Sequence, residues 1–154
     1  LRSLFGELDY VDATTVNRMH EIVKVDDEAS GIMMFKTGAY VNFYCMNHYS
    51  YDDDLTIEIH GEKGLIRLVK DSAEALFYKG WKRKKAEPKK HEKIDYGEGV
   101  KDYWGVCHSI AIGKFYESIR NGAEYEIGAK EGLDTQRMVE AIYKSGKGGG
   151  RVKA

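Results

Sequence analysis

Apolar and polar positions alternate most clearly over Leu55–His60, where Leu55, Ile57 and Ile59 are interleaved with Thr56, Glu58 and His60. A period of two predicts a half-buried β-strand. Gly61-Glu62-Lys63-Gly64 follows, with two glycines free to take positive φ in a turn. Leu65–Lys70 then returns as a second strand. Three strands are expected before this hairpin: Glu7–Met19, Ala29–Lys36 and Ala39–Met46, all rich in β-branched, aromatic or apolar residues. In the third, Ala39, Val41, Phe43 and Cys45 share one face, and Tyr40, Asn42, Tyr44 and Met46 the other. Val25–Glu28 reads as an acidic loop. Glu74–Trp81 reads as a sixth strand ending at Gly80, and Lys82–Lys93 as a solvated connection or an edge strand.

The period then becomes helical. His108, Ile112, Phe115, Tyr116 and Ile119 fall on one stripe of an amphipathic helix that Asn121-Gly122 stops. A second helix is expected over Ala129–Ser145, with Leu133, Met138, Ala141 and Ile142 turned inward and glycines at its end. Arg151–Lys153 reads as a last short strand. At the other end, Leu1, Leu4 and Phe5 lie one helical turn apart before Gly6, like the last turn of a helix whose beginning is absent. With no initiator Met, the chain is expected to be a piece of a longer protein. Strands joined by short turns, followed by grouped helices, predict an α+β fold: an open, mainly antiparallel sheet of about six strands with helices packed on one face.

Composition narrows the picture. A length of 154 residues suits one domain with a real core, and 42% hydrophobic with 32% charged residues is ordinary globular usage. No apolar run approaches the roughly 20 residues that span a bilayer, so no membrane association is expected. The net charge of −1 exerts no global pull toward nucleic acid. Cys45 and Cys107 form no close pair, so two buried free thiols in a reducing compartment are expected, which favours the cytoplasm.

Several motifs are weak. Gly148–Gly150 and Gly61-x-x-Gly64 do not sit between a strand and a helix N-terminus, as phosphate-binding loops must. The Lys82–Lys93 run lacks interleaved aromatics for stacking on bases. Asp52-Asp53-Asp54 with His48 has no second histidine at ligand spacing, so no metal site is expected. Asn47-His48-Tyr49-x-Tyr51 is the better candidate. Amide, imidazole and phenol groups give a hydroxyl-rich ligand directional hydrogen bonds, and the rings offer flat faces to a sugar. The plain alternative is a surface strand end with ordinary aromatics. His108, beside Tyr103 and Trp104, reads either as a half-buried helix residue or as a pocket wall.

Five segments occur in a familiar order: LRSLFGE, DDEASGIMMFKTGAYVNF, IEIHGEKGLIRL, HSIAIGKFYESIRNG and EGLDTQRMVEAIYKSGKGGGRV. In this the chain resembles, over essentially all of residues 1–154, the C-terminal domain of the glucose–fructose oxidoreductase/inositol dehydrogenase (Gfo/Idh/MocA) family. The Glu58–Gly64 hairpin and the Ala141–Ser145 helix segment are the most specific parts. The resemblance implies a parent NAD(P)-dependent oxidoreductase acting on CH–OH groups of a sugar, polyol or sugar derivative. It implies that NAD or NADP is bound by an N-terminal Rossmann domain absent here, so that this chain alone holds no cofactor and is inactive. The family's Asp-x-x-x-His pair would lie just upstream of Leu1, leaving no catalytic residue in the chain. Carried onto this sequence, the substrate contacts are Asn47, His48, Tyr49 and Tyr51, with Tyr103 and His108 as weaker pocket-wall positions. The open sheet face is expected to join copies into a homo-oligomer. The rival reading is a stand-alone, non-catalytic ligand-binding or assembly module with the same fold.

Overall fold

The computed structural model describes residues 1–48, 53–69, 72–86, 97–99 and 106–154. These fall within two compact units, 1–50 with 122–154, and 51–121.

The first unit opens with the short helix α1 (Arg2–Phe5), which Gly6 ends at φ 80°. Strands β1 (Leu8–Val16), β2 (Glu28–Phe35) and β3 (Tyr40–Met46) follow. Helix α3 (Ala129–Gly148) and the two-residue β8 (Val152–Lys153) complete the unit. The sheet order is β3-β2-β1-β8, antiparallel throughout. The register aligns Val11 with Met33 and Met33 with Val41, and likewise Ala13 with Gly31 and Gly31 with Phe43. One face therefore collects Val11, Ala13, Met33 and Phe35, all buried, with Val41 and Phe43 packed beside them. Phe5 closes one end, its ring 5.5 Å from that of Phe35.

α3 lies against β1 and covers this face. Met138, Ala141 and Ile142 join the core as expected. Leu133 does not: it is 51% exposed. The inward row runs instead through residues 134, 138, 141 and 145, the one-face spacing of a helix. Asp134 takes the first place on that row because Arg2 of α1 meets it at 2.6 Å. Ser145 is fully buried, and its hydroxyl accepts the Ala13 N–H at 2.8 Å and donates to the Gly150 carbonyl at 2.6 Å. Next to it Gly146 allows close approach: a Cβ there would lie 2.5 Å from Thr15 Oγ1.

The second unit carries β4 (Thr56–Gly61), β5 (Gly64–Val69), β6 (Ser72–Phe77) and β7 (Lys82–Ala86), an antiparallel meander in sequence order. The expected hairpin pairs Gly61 with Gly64 across its turn. β6 stops earlier than the sequence suggests. A 3₁₀ turn at Lys79–Trp81 follows, with Gly80 and Trp81 both at positive φ. The basic run supplies β7, and such an edge of lysines resists further strand pairing. One face carries the cross-strand pairs Glu58–Arg67 and Glu74–Arg83. The other aligns Ile59, Ile66 and Ala75, and an open groove near this hairpin is lined by Ile59, Ile66, Ala75 and Phe77. Helix α2 (Val106–Asn121) is present as expected. Its apolar stripe is exposed in this chain, with Ile112, Phe115, Tyr116 and Ile119 between 45% and 61% accessible.

The α+β class and the antiparallel pairing are as read from the sequence; the eight described strands divide into two sheets of four. Cys45 and Cys107 are exposed rather than buried. Cys45 sits on β3, the outer strand of its sheet among the described residues.

Candidate functional site

The connection from β1 to β2 and the end of β3 meet at one rim of the first sheet. Asp27 organises it. Its N–H donates to the Val16 carbonyl, and its own carbonyl accepts the Asn47 N–H at 3.0 Å. Its carboxylate accepts the backbone N–H groups of Arg18 (2.8 Å), Met19 (2.8 Å) and His20 (3.1 Å), and meets His20 Nδ1 at 3.1 Å. Burial raises the carboxyl's pKa, but the three amides and the imidazole outweigh that and hold it well below the usual carboxylate range. Asn17 braces the same loop from inside. Its Nδ2 lies within 2.9 Å of the carbonyls of His20, Val23 and Val25, and its Oδ1 accepts the His20 N–H.

Glu28, the first residue of β2, receives Arg18 in a two-pronged contact, Nε at 2.8 Å and Nη2 at 3.3 Å. The Arg18 hydrogen bond lowers its pKa, against the opposing effect of burial, and the guanidinium charge and His48 lower it further. His48 Nε2 approaches the same carboxylate at 3.5 Å. On the α3 side of the loop, the Asp26 carboxylate beside the Tyr143 hydroxyl holds that phenol above its ordinary value. Among the described residues, Asp26 Oδ1 and His48 Nε2 are buried without a hydrogen-bond partner. Natural proteins contain few such atoms, and each asks for a reason.

Of the residues named from the sequence, Asn47 and His48 stand together at this rim, Asn47 exposed and His48 partly buried. Tyr49, Tyr51 and Tyr103 lie outside the described residues. His108 is on α2 in the other unit, exposed rather than half-buried. The sequence reading passed over Arg18, Asp27 and Glu28. An Asn and an Asp bracketing a polar connection between two strands was the available signal, since both side chains bond readily to nearby backbone. Among the described residues, no group of three or more His, Cys, Asp or Glu is placed to hold a metal ion. The rim combines amide, imidazole and fixed carboxylate groups, suited to orienting a neutral, hydroxyl-bearing ligand.

Comparison with known proteins gives the wider setting. No curated protein matches the chain by sequence. Solved structures do match in fold. A levoglucosan dehydrogenase in complex with NADH and levoglucosan superposes with a TM-score of 0.77 at 22% identity, covering 99% of this chain and 46% of that one. The aldose-aldose oxidoreductase from Caulobacter crescentus, complexed with glycerol, gives 0.75 at 23% identity, covering 99% and 43%. The WlbA dehydrogenase from Bordetella pertussis, in complex with NADH and UDP-GlcNAcA, gives 0.76 at 23% identity, covering 100% and 44%. The chain thus spans less than half the length of each of these proteins. The description "Oxidoreductase family, C-terminal alpha/beta domain" matches residues 1–154 in full. The chain accordingly belongs to the Gfo/Idh/MocA oxidoreductase family, as the C-terminal α/β domain of that family.

Proposed function

We propose that this chain is the substrate-side domain of a longer NAD(P)-dependent oxidoreductase acting on a carbinol carbon of a sugar, polyol or sugar derivative. The observation that carries the reading is the family match over the whole chain, in a chain less than half the length of its solved relatives. In this reading the N-terminal remainder binds NAD or NADP, and the nicotinamide, when bound, supplies the hydride chemistry. This chain contributes orientation: Asn47 and His48, with the neighbouring Tyr49, contact substrate hydroxyls. The rim geometry supports the first two, because Asp27 and Glu28 hold the backbone and ring of this stretch in place. A second copy covers the apolar face of the second sheet, where Ile66 and Phe77 are 43% and 42% exposed. The cytoplasm is the proposed compartment.

The 154-residue chain by itself is expected to show no dehydrogenase turnover and no saturable NADH binding in a fluorescence titration. Joined to its native upstream sequence it is expected to reduce NAD(P)⁺ with a polyol substrate. In that longer protein His48→Ala is expected to raise KM by roughly tenfold, the scale of one lost hydrogen bond in a site, with kcat within about twofold. An upstream sequence without a glycine-rich βαβ unit, or a longer protein inert toward every sugar and polyol tried, would sink the reading.

A further inference from the structure

His48 presents a chemical puzzle. Its Nε2 is buried and has no hydrogen-bond partner among the described residues, and its side chain is only 17% exposed beside that of Glu28, itself 14% exposed. The nearest charged atom is Glu28 Oε2 at 3.5 Å, too long for a well-made hydrogen bond but well within electrostatic reach. Glu28 is not free to turn away. Arg18 grips both of its oxygens, and the Val16–Glu28 and Glu28–Met46 pairings fix its backbone in the middle of three strands. His48 is fixed from its own side, because the preceding Asn47 N–H is tied to the Asp27 carbonyl. Both partners are thus delivered to one another by the sheet.

We propose that Glu28, clamped by Arg18, is a positioning residue for His48: it holds the ring with its proton on Nε2 and leaves Nδ1 as the hydrogen-bond acceptor for a ligand hydroxyl. A carboxylate has only lone pairs to offer, so a bare Nε2 lone pair buried beside it is repelled, whereas an Nε2–H is attracted. With that proton committed, the neutral ring meets any ligand as an acceptor. An acceptor suits the O–H of a neutral polyol and disfavours a ligand carboxylate or phosphate, which has no proton to give at neutral pH. Only the ligand clause rests on the substrate-side reading above; the assignment of the proton rests on the geometry.

The test is long-range ¹H–¹⁵N spectroscopy of the ¹⁵N-histidine-labelled 154-residue chain at about pH 8, where imidazole is neutral. Wild type is expected to give the Nε2-protonated pattern for His48, with that proton protected from solvent exchange. In Glu28→Gln its exchange is expected to quicken by roughly tenfold or more, the scale of one lost charge-assisted contact. Glu28→Asp, which keeps the carboxylate, restores most of the protection. Arg18→Met, which releases the clamp while leaving Glu28 in place, gives a smaller change in the same direction and serves if Glu28→Gln fails to fold. An Nδ1-protonated His48 in wild type, or protection unchanged in both Glu28→Gln and Arg18→Met, overturns the proposal. If the spectra behave as expected while His48→Ala leaves KM unaltered in the longer enzyme, the Glu28 assignment stands and the substrate-side reading falls.

Discussion

Asp27 shows how one side chain shapes a loop. It is buried at 4% exposure, and its carboxylate answers three successive backbone N–H groups that no strand or helix would satisfy. Its lowered pKa makes it a pH-dependent brace. The folded form holds its proton less tightly than the unfolded chain, so its contribution is complete above the ordinary carboxylate pKa of about 4. That contribution is lost as pH falls below this value toward the folded one. Glu7, Glu28 and Asp134, also shifted downward, act in the same direction. Urea denaturation followed from about pH 6 to pH 3 is expected to show a falling midpoint in wild type and a shallower fall in Asp27→Asn. A fall of equal slope in both would remove Asp27 from this role. Such a residue is hard to find in a sequence: Asp26-Asp27-Glu28 looks like a solvated acidic run, and nothing in the letters says which carboxylate turns inward. The answer depends on amide groups seven to nine residues earlier that only the folded loop brings to it.

The element that decides the packing of the first unit is α3 on β1. Ser145 and Gly146 set how close the two can come. Ser145→Ala leaves the buried Ala13 N–H without its partner and is expected to cost about 1–3 kcal/mol. Gly146→Ala presses a methyl group onto Thr15, an overpacking worth about 1–3 kcal/mol. The two measured by chemical denaturation are expected to lower the midpoint while leaving the far-UV spectrum unchanged. A wild-type midpoint in Gly146→Ala would show that the helix can move away without loss. The helix itself was plain from its apolar spacing and closing glycines, but its facing was not. Leu133 looked like the natural inward residue, and the row passes through Asp134 instead because Arg2, 132 positions earlier, reaches across to it. At the end of β6 the strand stops at Phe77, ahead of Gly80, and a 3₁₀ turn follows.

For the whole molecule the question is what covers the apolar face of the second sheet. Ile59, Ile66, Ala75 and Phe77 lie on or beside one groove, while the charged pairs occupy the opposite face. If a second copy covers it, sedimentation of the chain at micromolar concentration is expected to give a dimer or larger species. Ile66→Glu, which buries a charge in that contact, is expected to shift it to monomer. A monomeric wild type would remove the proposed interface.

Most strands, both main helices, the antiparallel hairpins and the family were legible in the chain, because period and turn residues are local properties; the division into two four-stranded sheets was not. Which carboxylate is buried, which row of α3 faces inward, that both cysteines are exposed and that Glu28 meets His48 were decided by tertiary structure alone. The row of α3 and the Glu28–His48 approach depend on groups far apart in sequence whose meeting is set by strand register and helix docking, and Asp27 on a loop whose amides turn toward it only once the chain is folded.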